Sequence, residues 1–157
     1  MRLFLDTGII IAGLFQRWGA AKVVLTLCTW RQRYTVVLAA DIERELHGVL
    51  NRQGGALTAA DRRTLEADLA GWMRRVHLER VPVPSAEAVE HYLPTVLPVL
   101  RHINDLRPVI SAIQARPDWV VSANRDHWNE ALALRTGLRI VTPQEFVRRL
   151  VPPEPHR

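Results

Sequence analysis

Residues 2–8 read Arg2-Leu3-Phe4-Leu5-Asp6-Thr7-Gly8, and residues 119–126 read Trp119-Val120-Val121-Ser122-Ala123-Asn124-Arg125-Asp126. Both are short apolar runs that stop abruptly on oxygen-bearing side chains. Three or four apolar residues are too few for a core helix. Without polar alternation they predict a strand covered on both faces. Outward from these two, TVVLA at 35–39, residues 76–81 and residues 138–141 predict three further strands, with 119–122 the fourth in chain order.

Helical stretches fill the intervals. Residues 7–15, 20–33 and 41–51 read as helices, with Gly19 between the first two and Gly54-Gly55 breaking the third. Thr58, with Asp61 three residues on, opens a long helix whose stripe is Leu65, Leu69, Trp72, Met73 and Val76. That stripe makes Trp72 a core residue rather than a base-stacking one. Ser85 caps a helix ending near Pro94, and 106–116 tolerates Pro108 in its first turn. A helix over 126–136 stops at Gly137, and Thr142-Pro143-Gln144-Glu145 is a capping box that opens the last helix, 144–150. Strand–helix alternation implies right-handed crossovers and a mainly parallel five-stranded sheet in a three-layer α/β/α sandwich. The 157 residues suit one domain over 1–150, followed by a frayed tail at 151–157.

Composition narrows the class. With 48% hydrophobic and 24% charged residues, the chain is globular in type. No apolar run reaches about 18 residues, so no membrane span is expected. Asp6 follows Arg2 after only three apolar residues, too few for a signal-peptide core. Cys28 is the single cysteine, which excludes an intrachain disulfide and a CxxC zinc site and points to a reducing cytoplasm. The net charge of +5 invites a polyanion. Of the 21 basic residues only Lys22 is lysine, a skew that genome composition explains as readily as selection for RNA.

In a parallel sheet, ligands bind beyond the carboxyl ends of the strands, where Asp6 and the 122–126 segment fall. Glu45 and Asp105 lie in or just before helices. Acids gathered on one edge repel each other unless a cation intervenes, and oxygen ligands favour Mg²⁺ or Mn²⁺. Each acid also has a plain structural role: Asp6, Asp105, Asn124 and Asp126 could cap helices, and Glu45 could simply face solvent. On the helical wheel Glu43 and Glu45 are equally placed beside the Ile42/Leu46/Val49/Leu50 face. The six histidines show no HxH or HExxH spacing. Walker A, GxGxxG and GxSxG motifs are absent, which leaves the oxygen cluster as the sharp chemical hypothesis.

These residues resemble the PIN domain, the metal-dependent nuclease fold of VapC-type toxins. Asp6-Thr7 looks like the family's opening acid motif. Glu45-Leu46 looks like its helical Glu-Leu pair, which separates Glu45 from Glu43. Asn104-Asp105-Leu106-Arg107-Pro108-Val109-Ile110 resembles the third acid motif, and Asp118 to Asn124, followed by His127-Trp128, resembles the fourth. Asp105 and Asn124 are 19 residues apart, as that pair requires, and Leu138 to Phe146 resembles the family's ending. Gly8 stands where the family usually has Asn or Ser, and Asn124 where many members have Asp.

The resemblance implies a Mg²⁺- or Mn²⁺-dependent endoribonuclease, the toxin of a toxin–antitoxin pair. Asp6 and Asp105 would be primary ligands, with Glu45 bound directly or through water and Asn124 and Asp126 completing the site. Arg125, Arg101 and Arg107 would contact phosphate. An antitoxin segment would enter the acidic groove, and the toxins commonly form homodimers. Trp18, Val23, Leu27 and Trp30 could make such a face or belong to the core. Two other readings remain open. One is a catalytically weakened PIN scaffold that binds RNA or protein. The other is a phosphotransfer domain with Asp6 as nucleophile, which the missing acid at position 8 disfavours.

Overall fold

The computed structural model describes residues 1–52 and 58–150. The Gly54-Gly55 break and the tail at 151–157 lie outside the described residues. Five strands, β1 (Arg2–Leu5), β2 (Thr35–Ala39), β3 (Leu78–Val81), β4 (Trp119–Val121) and β5 (Ile140–Val141), form one sheet in the order β3-β2-β1-β4-β5. Every pairing is parallel, with Leu3 opposite Val36 on one side and Trp119 on the other. The all-apolar reading of β1 is correct because Leu3, Phe4 and Leu5 are all fully buried between two helical layers.

The helices are α1 (Thr7–Phe15), α2 (Ala20–Cys28), α3 (Ala40–Arg52), α4 (Ala59–Arg75), α5 (Ala86–Val96), α6 (Leu106–Ala115), α7 (Glu130–Thr136) and α8 (Pro143–Leu150). Helices α1, α2, α4 and α8 pack together, α5 packs on α6 and α7, and α3 touches both groups. The result is the three-layer sandwich expected. Trp72 is buried and donates its indole N–H to Leu25 O at 3.0 Å, so it is core, as the stripe predicts. Cys28 is also buried, and burial pushes its thiol pKa up to about 12, which leaves it inert. Trp18 and Trp30 are exposed, at 87% and 53%, and so are not core.

Several boundaries differ from expectation. The helix expected over 126–136 begins at Glu130, because Asn129 takes the cap and accepts the Leu132 amide at 2.8 Å. The strand expected from 76 begins at Leu78, because the Val76 amide closes α4 on Trp72 O. Residues 29–33 form turns rather than continuing α2. Helix α5 runs past Pro94 to Val96. At Thr58 the capping box is complete, with both reciprocal bonds to Asp61.

Candidate active site

The strand order places β1 at the centre, with β2 and β4 on its two sides. Crossovers run in opposite directions from that point, leaving a crevice at the carboxyl ends of β1 and β4. Two adjoining clefts, of ≈ 1080 and ≈ 770 Å³, open there, and Asp6, Glu45 and Asp105 line both. Asn124 and Asp126 line the smaller one.

Asp6 and Asp105 occupy the N-terminal cap positions of α1 and α6, yet neither side chain makes the capping hydrogen bond of its helix. The capping role therefore does not use these two carboxylates. Asp6 Oδ2 instead accepts the Ser122 hydroxyl at 2.8 Å, and Ser122 Oγ in turn accepts the Asn124 amide at 3.0 Å. Glu45 Oε2 accepts the Thr7 hydroxyl at 2.7 Å. Glu43 pairs with Arg80 at 3.2 Å. The wheel could not separate the two glutamates; the strand neighbour of Glu43 does.

Burial is the main influence raising the Asp6 pKa. The Ser122 hydroxyl opposes it, the Glu45 charge adds to it, the Thr7 amide opposes it and the Asp105 charge adds to it. Asp6 thus feels the charge of both Glu45 and Asp105. Asp105 Oδ2 is a buried oxygen with no hydrogen-bond partner. His127 Nδ1 lies 3.0 Å from it, an ion-pair distance without hydrogen-bond direction. Among the described residues, no three His, Cys, Asp or Glu side chains already surround one metal position. The donors fit a hard divalent ion in kind: mutually repelling oxygens, one of them buried and unsatisfied.

The remaining expected residues divide. Asn124 is exposed and accepts the His127 amide on Oδ1 at 3.3 Å, so its capping role is real, although it caps a turn rather than a helix. Asp126 is exposed on the cleft wall. Arg125 lines the smaller cleft, and its guanidinium pairs with Glu145. Arg107 lines the larger cleft and Arg101 lines neither. Thr7, Ser122 and His127 lie within the acid motifs but carry no sequence signal of their own. Their hydroxyls and imidazole meet the acids through partners 38, 116 and 22 positions away.

No family model and no curated protein matches the chain. Solved structures do. VapBC2 from Rickettsia felis, bound to a DNA fragment from its promoter, is 17% identical with TM-score 0.65, covering 90% of this chain and 98% of that one. PAE2754 from Pyrobaculum aerophilum is 13% identical with TM-score 0.63, covering 96% and 95%. FitAB bound to the IR36 DNA fragment is 13% identical with TM-score 0.63, covering 90% and 94%. The fold is PIN-like. In this PIN-like chain, no single helix among the described residues is long and apolar enough to cross a membrane. Helices α1 and α2 pass that test only jointly, bent by 99°.

Proposed function

We propose that the protein is a divalent-metal-dependent endoribonuclease of the toxin–antitoxin type. The observation that supports it is the meeting of Asp6, Glu45 and Asp105 on the carboxyl edge of β1, with two of the three at helix starts they do not cap. Asp6 and Asp105 would hold Mg²⁺ or Mn²⁺ directly, Glu45 directly or through water, and Asn124 and Asp126 would complete the set. Bound there, such an ion lowers the pKa of its water and offsets charge developing on a phosphodiester. The Ser122 hydroxyl holds Asp6 in place, and the Thr7 hydroxyl holds Glu45. Arg107 faces the larger cleft and Arg125 the smaller, where an RNA phosphate would lie.

The larger cleft combines the acids with Ile42, Val89, Ile103 and Leu106, a lining suited to a basic, partly apolar antitoxin segment. The likeness to VapBC2 and FitAB supports such a partner. The exposed Trp18 and Trp30 leave the α1–α2 corner open to a second copy. The neutral Asn124 favours a second reading, in which the scaffold binds RNA without cutting it.

Incubation of labelled RNA with Mn²⁺, with Mg²⁺ and with chelator separates the two readings. The nuclease reading expects cleavage that chelator removes and that Asp6→Asn abolishes while the fold persists. Cleavage unaffected by either treatment, or none at all with binding retained, would defeat it.

A further inference from the structure

The contact between His127 and Asp105 has the length of a hydrogen bond but not its direction. Nδ1 stands 3.0 Å from Oδ2, and Oδ2 is nonetheless buried without a donor. Two donor atoms at that spacing match neighbouring ligands on one ion. Bonds of about 2.1 Å meeting at a right angle place their ends about 3.0 Å apart. His127 is held through both backbone and ring. Its backbone amide donates to Asn124 Oδ1 at 3.3 Å, and its ring centroid lies 4.7 Å from that of His102. The next residue, Trp128, is buried against Phe4 with ring centroids 5.6 Å apart. His127 lines the smaller cleft together with Asp6, Glu45 and Asn124.

We propose that His127 Nδ1 and Asp105 Oδ2 are adjacent ligands of one ion, and that this nitrogen makes the site prefer Mn²⁺ to Mg²⁺. The inference rests on the metal-site reading above and chooses between two ions that oxygen ligands both accept. Imidazole is a borderline donor that first-row transition ions accept, whereas Mg²⁺ demands hard oxygen and keeps its water. Besides its place in that set, the neutral Asn124 builds the turn that carries the histidine.

The test uses the metal-free full chain. Mn²⁺ and Mg²⁺ are titrated separately by calorimetry, and the Mn²⁺-loaded protein is examined by pulsed electron paramagnetic resonance for ¹⁴N coupling. Wild type is expected to bind Mn²⁺ about 10-fold or more tightly than Mg²⁺ and to show imidazole nitrogen coupling. His127→Gln is expected to lose the coupling and most of the preference, with Mg²⁺ affinity little changed. His127→Asp, which offers oxygen, is expected to retain Mg²⁺ binding and lack the coupling. Bound Mn²⁺ without ¹⁴N coupling in the wild type overturns the proposal, and that measurement needs no variant to fold. An unchanged Mn²⁺/Mg²⁺ ratio in a folded His127→Gln also overturns it. If neither ion binds wild type, the metal-site reading itself fails, a result distinct from loss of preference alone.

Discussion

Asp6 is placed where the proposed function and stability conflict. Its carboxylate is withdrawn from water and shares its neighbourhood with Glu45 and Asp105, so the charged form works against folding. Asp6→Asn removes that charge and leaves an amide that can still meet Ser122. In chelator at neutral pH the variant should therefore melt a few degrees above wild type, as scanning calorimetry would read. A lower melting temperature would show that Asp6 is a structural residue. The same residue illustrates the limit of local reading. Cap position is visible in the sequence, but whether the side chain caps depends on Ser122, 116 residues away.

Among the elements, the junction of α1 and α2 is set by Gly13. A Cβ there would lie 2.5 Å from Leu25 Cγ and 2.9 Å from the backbone oxygen of Ala21. The backbone atom cannot swing aside. Alanine in a helix interior gains about 1 kcal/mol over glycine, while overpacking costs about 1–3 kcal/mol. Gly13→Ala should accordingly lower Tm, by up to roughly 6 °C. Stabilisation would mean that the two helices separate cheaply.

At the start of α8, Glu145 and Thr142 exchange capping bonds of 2.8 and 3.2 Å, which confirms the capping box read from the sequence. The Thr142 amide, aided by Arg125, holds the Glu145 carboxyl below its ordinary 4.5 against a small opposing effect of burial. A lowered folded pKa contributes stability above pH 4.5 that fades as pH falls through the folded value. Glu145→Ala should lower Tm by roughly 2–4 °C at pH 7, the worth of one cap. The gap from wild type should narrow in acid; a gap that widens would contradict the sign.

For the molecule as a whole, the acidic crevice predicts linkage between metal and stability. Mn²⁺ at about 100 times its Kd adds about 2.7 kcal/mol to folding, or roughly 5–10 °C in Tm. Asp6→Asn should show almost none of that rise. An equal rise in both proteins would place the ion elsewhere.

The sequence by itself determined the layer order and the parallel sheet. Apolar runs, caps and breakers act within a few residues, and the central strands β1, β2 and β4, largely buried on both faces, leave no polar alternation to misread. It also marked Asp6, Glu45, Asp105 and Asn124, although only through resemblance for Glu45, since the wheel left it level with Glu43. Ends without a strong signal are less legible: α7 begins four residues later than the sequence predicts, because Asp126 and Asn129 are equally good cap residues by type. Only the tertiary structure decided which carboxylates are spent on local bonds and which are left facing one another. That depends on Thr7, Ser122, Arg80 and His127, whose partners lie 22 to 116 positions away in the chain. No local propensity carries information across such distances; the closing of the sheet around β1 supplies it.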